Sequence, residues 1–191
     1  MKGSTSRVTI ISGAGSGIGE ATAELFALRG DHVVLLGRRL GTLRGLADRI
    51  REQGGSCEVH RCDVRHAAQV RAAAAEILRG HRTIDILINN AGTTSFKPIT
   101  RTSVEEFDDI VDTNLRGPFL LTRAFLPRFI RQKEGLVLNI LSHAARQVYA
   151  GSGAYAASKA GAEALMNVLR AETREQGLRV VNVFPGAVLT P

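Results

Sequence analysis

The chain has 191 residues, 44% of them hydrophobic and 23% charged, which is typical of one globular domain with a substantial core. No apolar run approaches the roughly 20 residues that span a bilayer, and the start "MKGSTSR" has no signal-peptide core, so we expect a cytoplasmic protein with no membrane partner. The net charge of +7 allows nucleic acid, an anionic ligand or a fragment that lacks acidic parts, but scattered basic residues and only 5% aromatic residues argue against nucleic acid.

The first predicted elements are a strand, a glycine-rich turn and a helix. Residues 7–12, "RVTIIS", are β-branched and apolar like a buried strand, and residues 20–29 carry apolar side chains at helical spacing. Between them, Gly13, Gly17 and Gly19 fit G-x-x-x-G-x-G and do not fit the fingerprint G-x-G-x-x-G. At a helix N-terminus such a turn lets a pyrophosphate approach free backbone N–H groups, and the alternative is a flexible turn without a ligand.

Strands and helices then alternate along the chain. Further strands are predicted at 32–37, 57–64, 84–92 (where the strand runs into a loop), 136–141 and 179–184. Helices are predicted at 40–50, 67–78, 104–130 with a break near Gly117 and Pro118, and 154–175. This alternation predicts an α/β fold, a doubly wound Rossmann-type parallel sheet with helices on both faces, which binds ligands at the carboxyl ends of its strands.

Two cysteines and two histidines lie close together in "CEVHRCDVRH", as Cys57, His60, Cys62 and His66. In a strand, residues 57 and 60 point to opposite faces, and the C-x-x-C spacing of a structural zinc site is absent. We therefore predict no metal site and two reduced thiols.

Three polar residues follow the fifth predicted strand. Ser142 comes directly after it, and Tyr155 and Lys159 are four residues apart, on one face of the next predicted helix. A lysine ammonium beside a tyrosine favours the ionised phenol, which makes Tyr155 a candidate proton donor or acceptor. A serine hydroxyl close by would hold a substrate oxygen while the proton moves. Taken alone, Y-x-x-x-K also arises by chance as a solvated pair.

From Arg7 to Thr190 these motifs together resemble the short-chain dehydrogenase/reductase family. "SGAGSGIG" resembles its TGxxxGxG turn, "NNAG" (89–92) its loop after strand four, "YAASK" its YxxxK and "PGAVLT" (185–190) its segment after strand six. The stretches "YAASKAG" and "NLRGPF" are similar to the 3-oxoacyl carrier-protein reductase branch. Ser12 replaces the usual threonine and Leu141 the first serine of a common pair, and neither change removes a group that the mechanism requires.

The resemblance implies hydride transfer between a nicotinamide cofactor and a carbonyl or alcohol substrate. It implies that Tyr155 is the general acid/base, that Lys159 supports its ionisation and holds the nicotinamide ribose, and that Ser142 positions the carbonyl. Asn114 would support a water-linked proton path to Lys159. Cofactor contacts are implied for Gly13, Ser16, Gly17, Ile18, Gly19, Asp63, Val64, Asn90, Ala91, Tyr155, Lys159, Val188 and Thr190. Residues near the reacting carbon are expected to include Thr94, Phe96, Ala144, Arg146 and Tyr149. Asn90 and Asn114 have an alternative role, in which they tie backbone segments together.

The residues after the second strand predict which cofactor is used. An acidic residue there would bind the ribose hydroxyls of NAD, but this chain has Gly37, Arg38 and Arg39. Two guanidinium groups form charge-assisted hydrogen bonds to a 2′-phosphate, so we predict NADP(H). The alternative is a solvated basic start of a helix, a position that the helix dipole disfavours for cations.

Three expectations concern the whole protein. The first is that the protein is an enzyme. The alternative is a non-catalytic nucleotide-binding sensor or scaffold of the same fold, which would not need Ser142, Tyr155 and Lys159 together. The second expectation concerns the C-terminus, because similar family members continue past 185–190 with a seventh strand and a final helix. We therefore expect residues 1–191 to be a single, C-terminally incomplete domain that lacks these elements and leaves strand six open. The third is a homodimer or homotetramer, since small residues at 157, 161 and 164 permit a close helix contact, unless that face packs on the sheet.

Overall fold

A computed structural model describes residues 6–188, which form a six-stranded parallel sheet. The strands are β1 (Val8–Ser12), β2 (His32–Gly37), β3 (Ser56–Arg61), β4 (Ile86–Asn89), β5 (Gly135–Ile140) and β6 (Leu178–Val183). Their order across the sheet is β3-β2-β1-β4-β5-β6. The direction of strand addition reverses beside β1, because the chain returns from β3 to the other side of β1 to form β4. Sheets of this kind bind ligands in the crevice at this reversal.

Within the same range, six α-helices connect the strands and cover the sheet. They are α1 (Gly17–Leu28), α2 (Leu40–Glu52), α3 (Ala67–Gly80), α4 (Val104–Val111), α5 (Gly117–Gln132) and α6 (Gly153–Glu172). Side chains of α1 and α2 pack on one face with Ile11. Side chains of α3, α5 and α6 pack on the other face with Ile10. Because neighbouring strand residues point to opposite faces, the sheet separates two hydrophobic cores, and the predicted doubly wound fold is confirmed.

The predicted helix bounds differ from the structure by up to three residues, at the start of α1 and at the end of α6, which ends at Glu172. α1 begins at Gly17 and not at residue 20, because the glycines of the turn continue into its first helical turn. The predicted break near Gly117 and Pro118 corresponds to an interruption of the α-helix directly before Gly117, and proline is tolerated in the first turn of α5. A π-helical turn at Asp112–Arg116 forms this interruption, joins α4 to α5 and buries Asn114.

β6 is an edge strand within residues 6–188, and one of its faces is partly open to solvent. Val181 is 41% exposed and Val183 is 38% exposed, whereas Leu178 and Val180 on the opposite face are buried. We call the two exposed valines the β6 strip. None of the helices in this range is long and apolar enough to cross a membrane.

Candidate active site

A cavity of about 770 Å³ lies at the carboxyl ends of the strands and is lined by the segments that follow all six of them. It brings together most of the residues that sequence analysis selected. These are Gly13, Ser16, Ile18, Arg38, Arg39, Asp63, Val64, Asn90, Ala91, Thr94, Phe96, Ser142, Ala144, Tyr149, Tyr155, Lys159 and Val188. Residues up to 175 positions apart in the chain therefore share one surface.

Four predicted residues within the described range do not line this cavity. Gly17 and Gly19 lie in the first turn of α1 and support it, and Asn114 is buried behind it. Arg146 was expected near the reacting carbon, but its guanidinium pairs with Glu163 and lies 3.9 Å from the centre of the Phe184 ring. These partners hold its side chain away from the cavity. Thr190 lies outside the described residues.

The glycine turn after β1 forms one end of the cavity. Gly13 has a φ of +66°, and a Cβ there would lie 2.8 Å from the Ala91 Cα. A Cβ at Gly19 would lie 2.3 Å from the Gly13 carbonyl oxygen, so neither position has room for a side chain. Ser16 is the N-cap of α1, but its side chain forms no capping hydrogen bond. The first N–H groups of α1 therefore remain available to an anion, which the helix dipole also favours.

Ser12 and Asn90 tie this turn to the loop after β4. Ser12 Oγ accepts hydrogen bonds from the N–H groups of Asn90 at 3.0 Å and Ala91 at 3.1 Å. Asn90 Nδ2 donates to the carbonyl oxygens of Ser12 and Gly13 at 3.0 and 3.1 Å. The side chain of Asn90 thus joins two backbone segments, as the alternative for this residue proposed. The sequence marks Ser12 as a replacement for threonine, and its position directly before the glycine turn is the signal for this role.

The corner after β2 has an excess of positive charge. Arg38 and Arg39 line the cavity, and Arg39 Nη2 is 3.4 Å from Ser16 Oγ. The nearby carboxylate of Asp63 is paired with Arg65, with Oδ2 and Nη2 2.6 Å apart. Burial opposes ionisation of Asp63, but the hydrogen bonds from Arg65 outweigh it and hold the pKa of Asp63 below its usual value. The two lining arginines therefore face a corner whose acidic group is already neutralised.

Tyr155, Lys159 and Ser142 lie at another part of the cavity wall. α6 places Tyr155 and Lys159 one turn apart, with Lys159 Nζ 5.8 Å from the centre of the Tyr155 ring. Lys159 is only 5% exposed, and its Nζ donates to the Ile140 carbonyl oxygen at 2.7 Å. Burial lowers the pKa of Lys159 to about 8. The solvated-pair interpretation is therefore wrong for this lysine.

Ser142 follows β5 and caps a short 3₁₀ turn at His143–Ala145. Its Oγ accepts a hydrogen bond from the Ala144 N–H at 3.1 Å, which leaves the hydroxyl proton available for donation into the cavity. The local backbone therefore holds the Ser142 hydroxyl in place and leaves its proton free to form a hydrogen bond with a substrate.

Asn114 holds the loop after β4 against α6. Its Oδ1 accepts from the Thr93 N–H at 2.8 Å, and its Nδ2 donates to the Thr93 carbonyl at 2.8 Å and to Ser158 Oγ at 3.0 Å. A Cβ on Gly92 would lie 3.3 Å from Asn114 Oδ1 and 3.6 Å from Lys159 Nζ, so these two groups flank the same backbone. The amide of Asn114 ties backbone segments together, and the π-helical turn carries it to this position.

Other lining residues were not selected from the sequence. They are Gly15, Gly37, Leu43, Cys62, Gly92, Thr93, Thr113, Ile140, Leu141, His143, Pro185, Gly186 and Ala187. Most lie directly beside a selected residue at the end of a strand. Choosing the whole segment after each strand, and not single motif positions, would have found most of them, but not Leu43 on α2 or Thr113 in the π-helical turn.

Comparisons with known proteins agree with this geometry. The family model of the short chain dehydrogenases matches residues 7–191. An uncharacterized oxidoreductase of Staphylococcus haemolyticus is 36% identical over 185 residues, which cover 97% of this chain and 79% of that protein. An NADP-dependent 3-hydroxy acid dehydrogenase of Salmonella typhi is 34% identical over 182 residues, which cover 95% of this chain and 72% of that protein.

Solved structures agree as well. The crystal structure of a metagenomic short-chain oxidoreductase in complex with NADP has a TM-score of 0.91 and 38% sequence identity, and the match covers 95% of this chain and 82% of that chain. These three relatives do not confirm the 3-oxoacyl carrier-protein reductase branch that the sequence resembled.

Proposed function

The chain belongs to the short-chain dehydrogenase family, and we propose that it transfers a hydride between NADP(H) and a small carbonyl or alcohol substrate. One observation carries this proposal. Tyr155, the buried Lys159 and Ser142 share a cavity with the uncapped N-terminus of α1 and two arginines. A proton donor and an anion-binding surface within one cavity are what a reductase with a phosphate-bearing cofactor requires.

The residues present fit such a cofactor. Because Gly13 and Gly19 carry no side chains, a pyrophosphate can approach the turn closely. The first N–H groups of α1 are uncapped and available to it. Arg38 and Arg39 would bind a 2′-phosphate, for which the crystal structure of the NADP-bound relative adds support. Val64 and Ala91 would lie beside the adenosine, Lys159 at the nicotinamide ribose and Val188 near the carboxamide. Thr190 is proposed as a further cofactor contact, on the family resemblance of its segment.

The mechanism follows from the groups around the substrate oxygen. A nicotinamide held by Lys159 and Val188 would supply the hydride for reduction of the substrate carbon and would accept it in oxidation. In reduction, Tyr155 donates its hydroxyl proton to the carbonyl oxygen, which becomes the alcohol hydroxyl. Ser142 donates a hydrogen bond to the same oxygen and fixes its position, and the ammonium of Lys159 stabilises the phenolate that Tyr155 becomes. Oxidation uses the same groups in reverse.

The side of the cavity next to Tyr155 favours small substrates of mixed polarity. Thr94, Phe96, Ala144 and Tyr149 line it, and the Phe96 ring centre is 6.2 Å from that of Tyr155. We therefore propose small ketones, 3-oxo acids and their alcohols as the compounds to test, by analogy with the relative that acts as a 3-hydroxy acid dehydrogenase.

The test replaces Tyr155 with phenylalanine. Tyr155→Phe removes one hydroxyl, so we expect NADPH oxidation to fall at least about 100-fold, which is the usual worth of a general acid. NADPH affinity, measured by fluorescence titration, should change little because Lys159 still reaches the ribose. Tyr149→Phe is the matched control, since its hydroxyl bonds to Gln147, and it should alter KM more than kcat.

Two outcomes would contradict the proposal. Retention of more than about a hundredth of the activity in Tyr155→Phe would mean that another group moves the proton. Tight NADPH binding by the unaltered chain without turnover of any carbonyl compound would favour the non-catalytic sensor or scaffold.

A further inference from the structure

Three side chains that can bind a transition metal converge near the β3 edge of the sheet, outside the active-site cavity. His32 is the first residue of β2, Glu58 lies on β3 and His81 follows α3. One ligand atom from each lies within 4.8 Å of the other two. His81 Nε2 is 3.1 Å from Glu58 Oε1, and His32 Nε2 is 3.9 Å from Glu58 Oε2. The two imidazole centres are 5.0 Å apart.

Strand pairing and helix termination explain this convergence. The register of β2 with β3 places His32 opposite Ser56, and Glu58 lies two residues further along the same face. The loop that carries His81 is held by Arg128, whose Nη1 donates to the His81 carbonyl oxygen at 2.7 Å. The cluster is therefore built on two strands and a fixed helix end.

The orientation of His32 is that of a metal-binding imidazole. Its Nδ1 is 2.6 Å from Ser56 Oγ, and donation from Nδ1 leaves the lone pair of Nε2 directed at Glu58 and His81. The Nε2 atom is buried and has no hydrogen-bond partner among residues 6–188. A buried imidazole nitrogen without a partner calls for a physical explanation, and a bound cation supplies one.

His60 supports Glu58 from outside this three-residue set. Its Nε2 is 3.1 Å from Glu58 Oε1, and its Nδ1 is 3.3 Å from a carboxylate oxygen of Glu76. The Glu76 carboxylate orients the His60 ring, and the ring in turn holds the carboxylate of Glu58. His60 is thus a positioning residue for the cluster.

We propose that His32, Glu58 and His81 bind a divalent transition-metal ion of the zinc class, with water as a further ligand. Two imidazole nitrogens and one carboxylate suit Zn²⁺ and Co²⁺, whereas Mg²⁺ and Ca²⁺ prefer oxygen ligands throughout. The ion would join β2, β3 and the end of α3 and so stabilise this side of the sheet. These residues are far apart in the chain, unlike the cysteine and histidine set that sequence analysis rejected.

The experiment is calorimetric titration of the metal-free chain with Zn²⁺, and separately with Mg²⁺. We expect one equivalent of Zn²⁺ to bind, no binding of Mg²⁺, and a rise in Tm of about 5 to 10 °C at 100-fold excess over Kd. His81→Ala and Glu58→Gln should each weaken Zn²⁺ binding at least about 100-fold. His66→Ala is the matched control, because His66 is exposed and lies outside the cluster, and it should bind Zn²⁺ normally.

Spectroscopy separates this site from Cys57 and Cys62, which are buried free thiols. Co²⁺ in the site should give visible d–d absorption without a thiolate charge-transfer band. Far-UV circular dichroism confirms folding of each variant, and His81→Ala keeps the test valid if Glu58→Gln does not fold. Absent Zn²⁺ binding, a thiolate band, or equal affinity in His81→Ala and the unaltered chain would overturn the proposal.

Discussion

Lys159 is an ammonium group held inside the protein, and its burial links stability to pH. Its pKa is about 8 in the folded chain, compared with an ordinary value of 10.5. Between these values the unfolded chain binds more protons than the folded one, so the free energy of unfolding should rise with pH, by at most about 3 kcal/mol. Below about pH 8 both states are protonated, and the folded state carries the full cost of burying the charge.

This dependence is tested by comparison with Lys159→Met, which removes the titrating group and keeps a side chain of similar length. Urea unfolding of both proteins from pH 7 to 10.5 measures the difference. The unaltered chain should gain stability relative to Lys159→Met across that window. Parallel stability curves for the two proteins would show that the ammonium is not destabilised by burial.

Arg38 is expected to determine the preference for NADP(H). Loss of a charge-assisted hydrogen bond to a 2′-phosphate weakens binding by roughly 10- to 100-fold. Arg38→Ala should therefore raise the Kd of NADPH by that factor and leave the Kd of NADH nearly unchanged. Arg44→Ala, an exposed arginine on α2 outside the cavity, is the control. Equal affinities of the unaltered chain for NADPH and NADH would contradict the assignment.

The place of a single residue in the site can be predicted from the sequence where one local motif determines the positions of its side chains. Tyr155 and Lys159 share a helix face because they are four residues apart, and the structure confirms this placement. The position of the Arg146 side chain could not be predicted, because its partner Glu163 lies on α6, 17 residues further along the chain. His32, Glu58 and His81 could not be predicted for the same reason, since strand register and the end of α3 bring them together.

The first turn of α1 is the element whose shape depends most on glycine. A Cβ at Gly19 would lie 2.3 Å from the Gly13 oxygen and 2.4 Å from Asn90 Nδ2, so Gly19→Ala must displace the turn. We expect at least about a 10-fold loss of NADPH affinity, since misplacing such contacts costs a kcal/mol or more. Fluorescence titration and thermal unfolding measure the two effects.

Gly45→Ala on α2 is the matched control for this change. A Cβ there meets nothing within 4 Å, so alanine should stabilise the helix by about 0.5 to 1 kcal/mol and leave NADPH binding intact. Normal NADPH affinity in Gly19→Ala would mean that the turn accommodates a side chain.

The types of the elements could be predicted because buried strands and amphipathic helices leave distinct hydrophobic periods. The π-helical turn at 112–116 could not, because its shape is held by hydrogen bonds from Asn114 to Thr93 and Ser158, which lie on other segments. The start of α1 was missed because glycine propensity argues against a helix, and tertiary contact at Gly19 overrides it.

On the scale of the whole molecule, the β6 strip is an exposed apolar surface on the edge strand of residues 6–188, and such a surface favours association. We expect the chain to self-associate through it, and Val181→Lys with Val183→Lys should lower the association measured by sedimentation velocity. Ala157→Glu with Ala164→Glu tests the α6 face instead. On that face, Gly161 packs on Leu115, since a Cβ added at Gly161 would lie 3.1 Å from Leu115 Cδ2. Dissociation only in the α6 variant, or a monomer at all concentrations, would contradict the prediction.

The position of β1 between β2 and β4 also has a consequence for synthesis on the ribosome. Ile10 pairs with Val34 on one side and with Leu87 on the other, so its second neighbour is translated about 80 residues later. At about 5 to 20 residues per second, the side of β1 that faces β4 stays without its partner for roughly 4 to 16 s after β1 is made. The nascent chain is therefore open to mispairing and to chaperone capture before β4 emerges, and the cavity cannot form until the segment after β6 is made.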